Sequence, residues 1–552
     1  MLAVCLTAGT QGFADEEPLH GQIRQWVQQL GNESYLVRQR AESLLIRAGV
    51  QADPELRRAR QSSDVETVRR AGYILSRIEQ AFLDTENREA AYWIHLYMLD
   101  PNPAAKARII WMLADPHLDF TKGEGLQTLC RLLRFEENSA LRLEVAKSLI
   151  ASPPVYPTAR QRWYQHIRDT IHSTGDDELL QSVADYAKLW CDLDDTDERT
   201  TPNFQERVRQ VSTATLRLLE RPENRIQIGS KVDILLHYAV AELQDAVGLI
   251  EERDKTAASA RTIEPEPMQT LEPIMQIGLH DDLLMNEHYY VGLYLMRRFR
   301  LHWAIAHFQK VVETGDISLQ ITASWSAAEA AMYLLDYAKA ITLFDQHIGI
   351  LRDSDHLRND AETLIAQAQR RQAYCLARQA AAEEDWTTVR ETIVQIWTNE
   401  PSGNPDRAED GGNIDLLILA HHLSKQLPDT DSEFRDMMDL QFQKTWFGIV
   451  ADYDNATPFE RSARMVSAFN TAAWLLANTD GDYQTALTLV EAALKVKPDT
   501  INFADTLAHV YFLGGEVDKA IRVQEQVVRF APEAVVFQHA LERFTLERFR
   551  KK

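Results

Sequence analysis

Two adjacent histidines, His421-His422, and two more at His302 and His307 are the residues best suited to hold a transition metal. Metal pairs on a helix need i,i+4 spacing, which none of these has. The acidic run Asp192 to Glu198 invites a calcium reading. An EF-hand loop needs glycine at its sixth place and glutamate at its twelfth, where this chain has Asp197 and Asn203. Four cysteines, Cys5, Cys130, Cys191 and Cys375, are widely separated and lack CxxC or CxxH spacing. Cys130 and Cys375 fall in apolar helical stretches, where a thiol behaves as a small hydrophobe, and a disulfide between two of the four stays open. Carboxylate pairs such as Asp176-Asp177 and Glu383-Glu384 carry no signal in so acidic a chain. HExxH, GxSxG, P-loop and GxGxxG patterns are missing. No catalytic residue, metal ligand or cofactor site is assigned, and the expectation is a protein that is not an enzyme.

The elements that would position any site are helical throughout. At 552 residues the chain exceeds one compact domain and suits several cores or one elongated solenoid. It carries 59 Lys plus Arg against 82 Asp plus Glu, a net charge of −23, which repels nucleic acid and anionic membrane surfaces alike. The stretch from Gly21 to Gln80 is the exception, with ten Arg and seven acidic residues. No run of about 18 apolar residues offers a membrane span. Met1 to Ala14 is uncharged, and Gly12-Phe13-Ala14 precedes the acidic Asp15-Glu16-Glu17. That pattern reads as a signal peptide without its positive n-region and implies export to a bacterial cell envelope. A cytoplasmic protein with an unstructured terminus is the alternative.

Between Phe469 and Pro532 the chain repeats itself. Gly481, Ala486, Ala493 and Pro498 recur 34 residues later as Gly515, Ala520, Val527 and Pro532. Ala508 and Ala520, twelve apart, sit where two helices of one hairpin cross, and Ala473 with Ala486 mark the earlier crossing with one extra residue in the turn. Weaker copies pair Gly292 with Ala304, Ala328 with Ala340, and Ala377 with Val389. This stretch resembles tetratricopeptide (TPR) repeats. It departs from the family at Ala504, where the tryptophan would stand, and at Gln524, where a second-helix aromatic is usual.

Near the N-terminus Val37-Arg38 is echoed by Val68-Arg69 at a spacing of 31, each followed by a small residue and an aliphatic pair. Leu141 to Leu149 is a third, weaker copy. These resemble HEAT-like repeats, in which valine packs inward and arginine reaches along the neighbouring turn. Asp64 is a plausible helix N-cap. The expected layout is an all-α solenoid of helical hairpins. A signal peptide spans 1–14, a HEAT-like region 15–255, a linker 256–273 and TPR-like repeats 274–401. A loop at 402–413, a helical insertion at 414–460 and a C-terminal TPR pair at 461–545 follow.

The TPR resemblance implies a concave groove, lined by the first helix of each hairpin, that takes a partner segment. Helical geometry places Thr322, Trp325, Glu329 and Met332 there around Ala328, and Arg371, Tyr374, Arg378 and Ala381 around Ala377. Ser467, Asn470, Trp474 and Ala477 follow around Ala473, and Asn502, Asp505, His509 and Phe512 around Ala508. Trp325, Glu329, Arg371, Tyr374, Arg378, Asn470, Asp505 and His509 are the candidate contacts. Their mixture of aromatics, amides and both charges suits proteins or peptide segments as partners. The lysine and asparagine pattern that clamps a terminal carboxylate in chaperone-binding TPR domains is missing. Two other readings stand beside this scaffold. One is an enzyme or regulatory subunit with its site in the irregular helices at Ile414–Tyr453 or Pro157–Arg253; the other is a structural spacer.

Overall fold

The computed structural model describes residues 16–83, 88–100, 102–114, 124–136, 138–154, 157–172, 178–195, 199–221, 231–263, 286–354, 361–398, 411–426, 431–455, 461–498 and 500–550. These residues form 26 α-helices and no strand. Each helix packs chiefly on its neighbours in sequence, the solenoid-like all-α arrangement expected. The signal-peptide stretch 1–14 lies outside the described residues. The chain divides into two units, Met1–Glu266 and Pro267–Lys552.

In the first unit, α1 (Glu16–Gln29), α2 (Tyr35–Ala48), α3 (Asp53–Ala59), α4 (Val65–Leu83), α5 (Arg88–Leu99) and α6 (Pro103–Ala114) come first. They are followed by α7 (Glu124–Phe135), α8 (Ser139–Ala151), α9 (Pro157–His172), α10 (Glu178–Asp195), α11 (Pro202–Leu216), α12 (Lys231–Ala246) and α13 (Ile250–Thr262). Helix α13 replaces the first part of the expected linker: Ala257 and Ala260 are buried, which a free linker would not require. The Val-Arg repeats differ from expectation in one respect. Val37 and Val68 are only half-buried, and Ala41, Leu45, Ala71 and Ile74 fill the core instead. Arg38 does reach the neighbouring turn, donating to the carbonyls of Asn32 at 2.6 Å and Glu33 at 2.9 Å. Asp64 caps α4 by accepting from the amide of Thr67 at 3.1 Å.

Helix α8 is buried from Ala140 to Ala151 at every residue but Arg142. That burial encloses Lys147, whose ammonium lies 2.9 Å from Glu144 and 2.7 Å from Asp233 on α12. The acidic run at Asp192 is not a loop at its start. Asp192 and Asp194 end α10, paired with Arg207 at 2.7 Å and Arg160 at 3.0 Å, which is why the carboxylates tolerate packing.

The second unit continues with α14 (Glu287–Arg297), α15 (Leu301–Thr314), α16 (Ile317–Tyr333), α17 (Tyr337–Asp353), α18 (Ala361–Ala382), α19 (Trp386–Thr398) and α20 (Gly411–Ser424). It ends with α21 (Ser432–Asn455), α22 (Arg461–Asn478), α23 (Tyr483–Val496), α24 (Ile501–Leu513), α25 (Val517–Phe530) and α26 (Val535–Arg550). The small residues assigned to helix crossings are buried completely: Ala304, Ala328, Ala340, Ala377, Ala473, Ala486, Ala508 and Ala520 all have 0% exposure. A Cβ on Gly292 would come within 2.6 Å of the Phe308 ring, so only glycine lets α14 and α15 approach this closely. Ala520→Leu should therefore cost about 1–3 kcal/mol by overpacking. An unchanged melting temperature would show that this crossing tolerates bulk.

The hairpin turns share one geometry. Phe299, Leu335, Glu384, Asp480 and Gly515 all adopt positive φ, between 54° and 76°. The amide after each closes the preceding helix on a carbonyl five residues back, as Asp336 does on Ala331 at 3.1 Å and Asp385 on Ala380 at 2.9 Å. Four of the five turns place a side chain where glycine is preferred. Glu384 is exposed, so Glu384→Gly should raise stability by about 0.5–1 kcal/mol. A lower denaturation midpoint in urea would contradict this.

Within the stretch 414–460 the described helices α20 and α21 pack among the flanking hairpins. Helices α20 and α21 stack in line, because Ile414, Leu417 and Phe434 share one core with Ala377, Val389 and Trp397 before them and Leu475 after them. Trp397 stacks on Phe434 at 5.9 Å. The last helix also meets the first hairpin. Phe537 packs 5.4 Å from Phe299 and 6.2 Å from Tyr333, and Glu533 accepts from the amide of His302 at 3.1 Å. The array of the second unit thus closes upon itself.

Candidate functional site

Closure brings the inner face of the second unit round on itself. Helices α16, α18, α20, α22, α24 and α26 contribute polar side chains to it. At the centre Arg371 lies 3.4 Å from Glu329 and 3.9 Å from Asp415. Asp415 accepts from the indole N–H of Trp474 at 3.4 Å. The Tyr333 hydroxyl is hydrogen-bonded to Asn502 and feels the charges of Glu329, Asp415 and Asp505. Helices far apart in sequence thereby share one electrostatic neighbourhood.

Glu329 and Asp415 keep 25% and 37% of their side-chain surface, yet burial pushes both carboxyl groups above their ordinary pKa. Water reaches them, but protein surrounds them, which describes the wall of a concavity rather than an outer surface. Burial likewise pushes the Tyr374 phenol up. Asn470 Oδ1 is a buried acceptor without a hydrogen-bond donor, whereas Glu329 Oε1 faces the Arg371 guanidinium. An unmet acceptor is costly unless a ligand or water completes it.

The eight candidate residues are thus not equivalent. Glu329, Arg371, Tyr374, Arg378 and Asn470 line the interior, half-buried. Asp505 and His509 are 6% exposed and packed between helices, so their placement on an open groove is corrected. Asp505 accepts from Gln524 at 2.7 Å, and His509 Nδ1 lies 2.8 Å from the Asn478 amide oxygen and 3.1 Å from Arg543. Gln524, in the place of the usual aromatic, is what makes a buried aspartate tolerable. Trp325 turns away, its ring meeting Phe344 and His347 of its own hairpin, both at 5.4 Å.

Sequence reasoning missed Asp415 and Arg543, and weighed His422 only as a metal ligand. The signal for Asp415 was present: it is the lone charge in the apolar run Ile414 to Ala420. The histidines weighed as ligands have other roles. His307 Nδ1 faces His288 Nδ1 at 2.9 Å in a buried pair, and His421 lies 3.2 Å from Asp480. Among the described residues no group of three His, Cys, Asp or Glu could hold a metal, and no helix is long and apolar enough to cross a membrane. Cys130, Cys191 and Cys375 are buried and not joined in disulfides, and burial pushes Cys130 up to about 12.

Comparison with known proteins adds no further guide: no model of a known protein family matches the chain, and no curated protein is recognisably similar to it.

Proposed function

We propose that this protein is a non-catalytic scaffold whose second unit, a TPR-like array, holds a segment of a partner protein against its polar inner face. One observation carries the reading. The interior gathers guanidinium, carboxyl, amide and aromatic groups where tight packing alone would favour aliphatic ones, and one of its acceptors, Asn470 Oδ1, has no donor. A preformed polar wall of this kind gives affinity by shape and hydrogen bonding, without chemistry. The aromatic share of the wall, Tyr333, Tyr374 and Trp474, weighs against a mere spacer.

A photo-crosslinking residue at Asn470, inside, and another at Glu491, exposed on α23, test this in a bacterial envelope extract. Covalent capture of one protein from position 470 alone is the expected result. Capture from 491 alone would overturn the interior reading. A second reading rests on Asp415, which brings a carboxylate from the 414–453 segment into the site and suits a small-molecule pocket of an enzyme or regulatory subunit. A small molecule released when the purified chain is denatured would favour it. Export, proposed from the uncharged Met1–Ala14 stretch, is checked by cell fractionation.

A further inference from the structure

We propose that the outer surface of the α2–α4 pair docks an acidic, amphipathic segment of a partner protein. This surface belongs to the first unit and is independent of the interior described for the second. The two helices meet through ions. Arg70 on α4 donates to Glu42 on α2 at 2.6 Å and to Glu66 on its own helix at 2.7 Å. Arg38 on α2 lies 3.6 Å from Glu66. Both links across the pair span 28 residues, so the helices run parallel.

Outside this seam, apolar and basic side chains share the surface. Along α4, Val65, Arg69, Tyr73 and Arg77 recur at every fourth position, and all four are exposed. Along α2, the exposed Leu36 and Arg40 repeat that step, and the exposed Arg47 follows. Tyr35 lies over the seam, its ring centre 5.8 Å from the guanidinium carbons of both Arg38 and Arg70. Tyr35, Leu36, Val65 and Tyr73 are 58%, 74%, 79% and 52% exposed. Scattered single exposures are ordinary, but four on one pair of adjoining helices, rimmed by arginines, mark an interaction surface.

Charge decides the occupant. Helices α2 and α4 carry six arginines and three glutamates, in a chain with a net charge of −23. Arg38 and Arg70 hold the seam, whereas no ion pair joins Arg40, Arg47 or Arg77 to a carboxylate among the described residues. Arg69 has only the exposed i,i+3 pair with Glu66, which contributes little and is readily exchanged. Carboxylates of a partner complement these arginines, and its apolar side chains cover the two tyrosines and the aliphatic pair. A duplex or a bilayer extends past the seam and meets the negative charge of the remaining chain, whereas a short segment does not. From Val65 to Arg77 the stripe is about 18 Å long, which a partner helix of about four turns matches.

Fluorescence anisotropy of a labelled synthetic peptide against the full chain tests this. The peptide is a helix of about 16 residues in which glutamate and leucine alternate at every fourth position. It should bind at least about tenfold more tightly than a version with glutamine for glutamate or one with serine for leucine. Arg40→Glu combined with Arg77→Glu should lose at least about tenfold in affinity, and Tyr73→Ser should weaken binding too, with circular dichroism unchanged. Should the charge-reversed variant fail to fold, Arg40→Gln combined with Arg77→Gln should still bind more weakly than wild type. Arg522→Glu, at an exposed position on α25, should bind as wild type does. Equal binding of either altered peptide, wild-type affinity in the double variant, or an equal loss in Arg522→Glu would overturn the docking surface. So would a lack of binding up to about 1 mM peptide. Tighter binding of a single-stranded DNA oligonucleotide, or of phosphatidylserine vesicles, would reassign the surface to nucleic acid or lipid and sink the protein partner.

Discussion

Replacing Lys147 with alanine will destabilise the first unit by about 3–5 kcal/mol, a large share of the net stability of a typical domain. The ammonium is enclosed with two carboxylates, Glu144 on its own helix and Asp233 on α12, and its side chain is 5% exposed. Burial opposes its charge, but Glu144 and Asp233 together hold its pKa above the ordinary value. Burial pushes Glu144 up in spite of Lys147, because two carboxylates share one cation. Removing the lysine leaves both anions without it and opens a void in the centre of α8. Urea denaturation followed by circular dichroism measures the loss. Lys147→Met combined with Glu144→Leu should restore most of it, since Asp233 keeps 24% of its side-chain surface and can be hydrated. A loss below about 1 kcal/mol for Lys147→Ala would mean that the triad behaves as a surface ion pair.

Asp505→Asn will stabilise the second unit at pH 8 and do little at pH 4. Burial pushes the Asp505 carboxyl up to about 7 from an ordinary 3.8, against the pull of Gln524 and Arg543. Between those values the folded state keeps a proton that the unfolded state has released. Stability falls as pH rises through that window, and the full penalty, on the order of 4 kcal/mol at most, is present above it. Asparagine keeps the oxygen that accepts from Gln524 and removes the titration. The buried imidazoles work the other way. Burial lowers His422 to about 4 and holds His509 well below its ordinary value, so their contribution grows as pH rises toward 6.5. Glu329 and Asp415 are raised as well. The difference between wild type and Asp505→Asn in calorimetric midpoint at pH 4 and pH 8 isolates the aspartate. An equal difference at both values would refute the assignment.

The crossings of the helical pairs were legible in the sequence because sterics there admit so few residues. Gly292, Ala328, Ala473 and Ala508 must be small for the backbones to meet, and spacing of about twelve residues finds them. The inner wall was legible in part: the same geometry brought Glu329, Arg371, Tyr374, Arg378 and Asn470 inside, but it could not show which way the Trp325 ring turns. Periodicity ranks faces and is silent on rotamers. Asp415 stood out as the lone charge in an apolar run, but that run read as core, and α20 lacked a register because it is apolar on several faces. Lys147 and Asp233 are 86 residues apart, and no local pattern announces such a partnership.

The closing contact between Glu533 and His302 also bears on how the protein is made. Most packing in the second unit joins neighbouring helices and can form as each hairpin leaves the ribosome. The pairing at His302 cannot, because its partner is translated 231 residues later. The second unit therefore reaches its closed arrangement only after its last helix has been made.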